Sequence, residues 1–321
     1  MPALNVSRTI RIASDPKTVF QTISDFSTWQ RWSPWLLADP NADFSLHAEP
    51  SQEGGGFSWE GPVVGAGQMQ HLSLQPPEGE RGAGKIHSQL RFLKPWKSES
   101  TVDFAISPCK DPQGQDATEV RWEMHGSLPF FLFWMKAMMQ SMISLDYDRG
   151  LRMAKELIET GNIASQTVVN GIQPVPGRRI FGVSAETTLS EIGPSMEISI
   201  GDAIKRLQTA GIATDGQWIS IYHSMCMKTQ AVSYTSGVVV AENAALPIGL
   251  DAASTTACSA MRVTHQGRYQ HLGNAWFAAY QNLQAAKRKP ATKLQAFEVY
   301  LNRPEDTPAE SLVTEVYVPV N

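Results

Sequence analysis

The chain has 321 residues, of which 42% are hydrophobic and 18% charged, with a formal net charge of -4. This length exceeds the size at which one hydrophobic core stops growing, so we expect two domains. A slightly acidic chain with a pI near 6.0 has no basic footprint for a phosphate backbone, which argues against direct binding of nucleic acid. Three widely spaced cysteines and a start without an apolar secretory stretch predict a cytoplasmic protein.

The first half predicts an antiparallel sheet followed by a long helix. Residues 4–12 alternate as a strand, and Asp15-Pro16 supplies an N-cap followed by proline at the first helical position. That short helix should end at Asp25. From about residue 43 to 125 the chain breaks into short, turn-punctuated segments typical of a meander. A long apolar-rich helix should then run over 129–159 and stop at Gly161.

The most apolar segment is Leu128 to Ile143. It is shorter than the roughly 20 residues that a membrane span needs, and Lys136 interrupts it. We therefore expect no membrane span. The segment is interpreted as a buried core helix that also lines a cavity, with peripheral membrane contact as the alternative.

Several motifs in this half resemble the START-like helix-grip superfamily called SRPBCC, in its polyketide-cyclase-like branch. They are the run from Asp25 to Trp35, Trp59-Glu60-Gly61 with Gly65-x-Gly67, Thr118-Glu119-Val120-x-Trp122, and Asp146-Tyr147-x-x-Gly150-Leu151. The resemblance implies an α+β helix-grip domain over residues 1–162, with an antiparallel sheet around the long C-terminal helix. It also implies a hydrophobic ligand cavity, but no single catalytic set.

The second half, expected as a domain over residues 163–321, repeats one pattern twice after a Gly/Pro-punctuated connection at 161–177. Each unit is predicted to be a strand, a helix and two strands. The predicted elements are 179–187, 200–210, 217–224 and 231–241 in the first unit, and 259–264, 269–286, 294–301 and 312–318 in the second. Ser199 and Asp202 fit a capping box for the first helix. Such repeats pair about a pseudo-two-fold axis, which predicts a ligand groove where two sheets meet.

A carboxylate among aromatic residues singles out one strand of the second unit. Strand alternation puts Glu298 and Tyr300 on one face and Phe297 with Val299 on the other. The equivalent strand of the first unit, 218–222, aligns Tyr222 near Tyr300. A carboxylate among apolar walls costs desolvation unless a cation or donor pairs with it, so a lipophilic cation would suit this lining.

The run Phe297 to Pro304, His265-x-Gly267-x-Tyr269-x-x-Leu272 and the ending Val316-x-Val318-Pro319-Val320 resemble the GyrI-like effector-binding domain. That family occurs C-terminal to DNA-binding modules in multidrug-responsive regulators of the AraC and MerR types. The resemblance implies a duplicated βαββ domain, with Glu298 facing lipophilic, cationic ligands. The candidate ligand-binding residues are Glu298, Tyr300, Trp218, Tyr222, Trp276 and Phe297.

Three hypotheses for function follow. The first is a small-molecule-binding protein that carries no DNA-binding module of its own. The second, implied by some stand-alone GyrI-like proteins, is a hydrolase that opens electrophilic cyclopropane rings, with Glu298 as general base and Tyr300 as its catalytic partner. The third is a regulatory partner of a separate transcription factor or enzyme.

A structural alternative for the carboxylate is that Glu298 simply bonds Tyr300 or backbone donors in a packed sheet. We expect no cofactor, since no nucleotide-binding motif occurs, and no metal, since the seven histidines lack metal-ligand spacing. The expected partner is a small lipophilic molecule. The sequence leaves the oligomeric state open.

Overall fold

The chain folds into two compact units, Met1–Ile163 and Ala164–Asn321. The structure, a computed structural model, describes residues 3–79, 81–128 and 130–321. Each unit combines an antiparallel sheet with helices, which confirms the α+β class.

The first unit is a seven-stranded sheet that is followed by one long helix. Its strands lie in the order β1-β7-β6-β5-β4-β3-β2, and every neighbouring pair is antiparallel. Its elements are β1 (Ala3–Ile12), α1 (Pro16–Ser24), α2 (Trp29–Trp32), β2 (Asp43–His47), β3 (Gly56–Gly61), β4 (Gly65–Gln75), β5 (Gly84–Lys94), β6 (Ser98–Lys110), β7 (Asp116–Ser127) and α3 (Lys136–Thr160). This arrangement confirms the helix-grip prediction.

The long helix α3 is buried only in its C-terminal part. Its buried residues begin at Ser144, and Gly161 ends it in the left-handed conformation, as the sequence predicts. The expectation of a buried helix over 128–143 is wrong in the part that is described, because Phe133 and Trp134 are 59% and 68% exposed. Pro129 lies outside the described residues. Within those residues, no helix is long and apolar enough to cross a membrane.

Aromatic rings pack between α3 and the sheet of the first unit. Tyr147 of α3 stacks on Trp122 of β7 with ring centroids 3.9 Å apart, and Trp29 and Trp32 contact Trp122 edge-on. These side chains belong to the hydrophobic core of the first unit.

The predicted cap of α1 is present and is testable. The Asp15 carboxylate accepts hydrogen bonds from the backbone N–H and the hydroxyl of Thr18. Replacing Asp15 with Ala should therefore lower the free energy of unfolding of the first unit by about 1 kcal/mol. Asp15→Asn keeps a capping oxygen and should lower the free energy of unfolding far less. Urea titrations of the two variants and the wild type measure the difference. Equal losses in the two variants would contradict the capping role.

The second unit is a single eight-stranded sheet with two helices. Its elements are β8 (Ser165–Val175), β9 (Arg178–Thr188), α4 (Ile192–Thr209), β10 (Trp218–Cys226), β11 (Ala231–Val240), β12 (Asp251–Thr255), β13 (Cys258–Gly267), α5 (Gly273–Ala285), β14 (Phe297–Tyr300) and β15 (Val313–Pro319). The two predicted βαββ repeats are confirmed as β9-α4-β10-β11 and β13-α5-β14-β15.

The two repeats join differently from the prediction. The strand order is β12-β9-β11-β10-β14-β15-β13-β8, so β10 pairs directly with β14 and one continuous sheet replaces the two expected sheets. Each repeat is preceded by a further strand that pairs with the other repeat: β8 with β13, and β12 with β9. This exchange ties the two halves into one fold.

The first helix of the second unit begins earlier than the sequence predicts. Helix α4 starts at Ile192, and Ser199 lies inside it, where its hydroxyl donates to the Ser195 carbonyl. The capping box of Ser199 and Asp202 is therefore wrong. Asp202 instead forms an ion pair with Arg206 one turn later.

Candidate functional site

The candidate site lies on the sheet face that α5 covers, at the junction of the two repeats. The register of β10 and β14 places Ser220 directly opposite Glu298 and Trp218 opposite Tyr300. Phe297 and Val299 lie on the other face, where the Phe297 ring stacks on Tyr317. Phe297, although expected among the ligand-binding residues, is thus turned away from Glu298.

Glu298 is enclosed by side-chain donors. Glu298 is only 1% exposed to solvent. The Tyr300 hydroxyl donates to Oε2 at 2.8 Å, and the Trp276 indole N–H donates to Oε1 at 2.5 Å. The Tyr222 hydroxyl also hydrogen-bonds the carboxylate. The structure therefore brings together four of the six candidate residues.

Among the described residues, the side chains that hydrogen-bond the Glu298 carboxylate are neutral. Burial raises its pKa above the ordinary value, and hydrogen bonds from Trp276, Tyr300 and Tyr222 oppose that rise. Burial and the Glu298 charge in turn raise the pKa of both Tyr222 and Tyr300 well above the ordinary value for tyrosine. Both hydroxyls consequently keep their protons and remain donors. Among the described residues, no lysine or arginine forms an ion pair with Glu298.

A cleft of about 250 Å³ lies beside Trp276. Tyr222, Tyr280 and residues 290–296 are among the residues that line it. The Trp276 ring contacts Tyr222 edge-on at 4.9 Å and lies parallel to Tyr280 at 6.3 Å. Trp276 therefore both lines the cleft and donates a hydrogen bond to the Glu298 carboxylate.

Trp218 lies on the same face as Tyr300 but belongs to the core beneath α4. It packs with Phe181 and Leu207, and its indole N–H donates to the Thr214 carbonyl. It does not hydrogen-bond Glu298.

Sequence reasoning missed two side chains that touch the site. The Ser220 hydroxyl is hydrogen-bonded to the Tyr300 hydroxyl at 3.0 Å, and the Met196 sulfur lies 3.6 Å from that hydroxyl oxygen. A signal for Ser220 exists in the repeat, because Ser220-Ile221-Tyr222 is the counterpart of Glu298-Val299-Tyr300. Met196 has no such signal, since it lies before the predicted start of its helix.

A second Glu-x-Tyr pair, Glu315 and Tyr317, lies on the opposite face of the sheet and has a carboxylate in an ion pair. Tyr317 donates to Glu315 at 2.6 Å, as Tyr300 does to Glu298. Glu315, however, also forms an ion pair with Arg262 at 3.2 Å. Glu298 has the same local spacing, but within the described part of the chain it forms no ion pair, so the two carboxylates differ in their electrostatic surroundings.

The first unit holds a buried ion pair of its own, between Asp146 and Arg149 at 2.6 Å. Trp35 donates to the same aspartate, and Arg149 also donates to the Pro34 carbonyl. These charges compensate each other. In the part of the chain that the structure describes, no group of three His, Cys, Asp or Glu side chains could hold a metal ion.

The raised pKa of Glu298 predicts a pH dependence of stability. Between the ordinary carboxyl value of 4.5 and the raised folded value, the folded protein binds more protons than the unfolded chain. Stability contributed by protonated Glu298 is therefore present at low pH and is lost as pH rises through this window. Relative to Glu298→Gln, which has no titrating group, the wild type should lose free energy of unfolding as pH increases. Denaturant titrations of both proteins across this range test it, and a constant difference would contradict it.

Two family models match the chain side by side. Residues 3–159 match the polyketide cyclase / dehydrase and lipid transport family, and residues 172–321 match the GyrI-like small molecule binding domain. No curated protein matches the chain significantly.

Solved structures show a limited likeness. SAV2435 bound to tetraphenylphosphonium is 16% identical, with a TM-score of 0.38, over 48% of this chain and 94% of that one. The EcmrR C-terminal domain is 15% identical, with a TM-score of 0.37, over 50% and 99%. An integron cassette protein of Vibrio cholerae is 15% identical, with a TM-score of 0.34, over 48% and 99%.

The family matches agree with the motifs and with the fold of each unit. The protein is therefore a fusion of an N-terminal domain of the polyketide cyclase family with a C-terminal domain of the GyrI-like small-molecule-binding family.

Proposed function

We propose that the GyrI-like domain binds lipophilic organic cations and that Glu298 is their counter-ion. The observation that carries this proposal is a fully buried carboxylate whose hydrogen-bond partners are all neutral. The membership of this domain in a small-molecule-binding family supports the coarser part of the proposal.

The energetics favour a cationic ligand over a neutral one. Burial of an ionised carboxylate costs free energy that neutral donors offset only in part, which is why the pKa of Glu298 is raised. A cation that reaches the carboxylate supplies the missing charge in a medium of low dielectric constant, where the attraction is stronger than in water. The site thus gains most from a ligand that carries positive charge to the carboxylate.

The surrounding rings suit the lipophilic part of such a ligand. Tyr222, Trp276 and Tyr280 line the cleft beside the carboxylate. Cation–π contacts with such rings contribute about 0.5–2 kcal/mol each where water is excluded. Lys293 also lines the cleft, but it is exposed, so solvent screens its repulsion of a bound cation.

The hydrolase hypothesis is less well supported by this geometry. A general base needs a water molecule at its carboxylate, and both oxygens of Glu298 already accept side-chain hydrogen bonds. The hydroxyl of Tyr300, the expected catalytic partner, donates a hydrogen bond to Glu298 itself. Binding by a separate protein partner stays a prediction from the sequence.

Titration with proflavine, a planar aromatic cation with its own fluorescence, tests the proposed function. We expect saturable binding to the wild type. Glu298→Gln should weaken it by about tenfold or more, since a hydrogen bond to a charged group contributes about 1.5–3 kcal/mol and each tenfold equals about 1.4 kcal/mol.

The matched control is Glu310→Gln, which removes the same charge from an exposed position. It should bind proflavine as the wild type does. Absence of saturable binding to the wild type, or equal affinities in the two variants, would overturn the role of Glu298.

A further inference from the structure

Trp276 differs from the other two donors to Glu298 in where it comes from. Tyr222 and Tyr300 belong to β10 and β14, and both are buried. Trp276 belongs to α5, is only half-buried and lines the cleft. Tyr222 also lines the cleft, but it is buried, so the half-buried indole is the donor that a molecule in the cleft can displace with less loss of packing.

The indole also has the features of a ligand for this site. It presents one N–H to Oε1 of Glu298 and sets its aromatic ring against Tyr222. We propose that Trp276 is an internal stand-in for the ligand, and that the ligand is a protonated aromatic amine whose N–H replaces the indole N–H at Glu298. This inference rests on the proposed function, because it names the kind of cation that the Glu298 site prefers.

Protonated amines and quaternary cations differ in whether they can donate a hydrogen bond to Oε1 of Glu298. When the indole leaves, Oε1 loses its donor, and an acceptor that stays without a donor is unfavourable. A protonated amine restores the hydrogen bond and brings the charge. A quaternary ammonium brings the charge alone.

The cleft has room for the exchange. Tyr280 lies one helical turn beyond Trp276 and already lies parallel to the indole, so the displaced ring has an aromatic neighbour on the cleft side. The aromatic part of the ligand would then take the place that the indole leaves beside Tyr222. A cleft of about 250 Å³ is large enough for one fused two-ring system and a small amine.

A matched pair of probes tests the assignment. Dimethyl(1-naphthylmethyl)amine, protonated near neutral pH, and trimethyl(1-naphthylmethyl)ammonium differ only in a proton replaced by a methyl group. Isothermal titration calorimetry should show that the amine binds at least about tenfold more tightly. Trp276→Phe keeps the ring but removes the competing N–H, so it should tighten binding of both probes while the preference for the amine remains.

Trp96→Phe is the control variant, because Trp96 is an exposed tryptophan of the first unit and does not line the cleft. It should leave both affinities near their wild-type values. Equal affinities for the two probes, or a preference for the quaternary one, would overturn the amine assignment while loss of binding in Glu298→Gln still supports the proposed function. Weaker binding of both probes to Trp276→Phe would show that the indole is a wall of the site and not a stand-in. If neither probe nor proflavine binds, the proposed function itself falls, and this inference with it.

Discussion

The GyrI-like domain is organised around a buried carboxylate, Glu298, that is paired with no lysine or arginine among the residues the structure describes. An isolated ion in such a place is unfavourable, and the fold holds Glu298 there by converging neutral donors from a helix and two strands. Each donor comes from a different element, so the carboxylate depends on the complete domain. The Glu315–Arg262 pair on the opposite face shows that this same sheet also holds a compensated carboxylate.

The pseudo-two-fold arrangement explains why the domain has one such carboxylate. Ser220 and Glu298 face each other across the central strand pair, at corresponding positions of the two repeats. A second carboxylate at Ser220 would face the first directly, and like charges on opposing residues of adjacent strands are destabilising. Ser220 instead hydrogen-bonds the Tyr300 hydroxyl, and that hydroxyl donates its own hydrogen bond to Glu298. The duplicated fold thus carries an asymmetric site.

Local patterns in the sequence were sufficient for several of the elements, whereas packing decided the site. The cap at Asp15, the stop at Gly161 and the strand that carries Glu298 depend on neighbouring residues, so the sequence predicts them. The start of α4 was missed because Gly193 and Pro194 are typical helix breakers, whereas proline is tolerated in the first turn, where backbone N–H groups have no helical partner. The hydrogen bond from Trp276 to Glu298 joins a helix to a strand, so the periodicity of neither element predicts it.

The two helices contribute different side chains to the surroundings of the carboxylate, and only the one from α5 donates a hydrogen bond to it. Helix α4 brings the thioether of Met196 close to the hydroxyls of Tyr222 and Tyr300, where it has no proton to donate. Helix α5 brings an indole N–H to the carboxylate itself. Trp276 of α5 thus bonds the carboxylate and also lines the cleft. A polar group in the cleft that reaches Oε1 has to replace the Trp276 N–H, so one of the side chains that stabilise the buried charge also limits access to it.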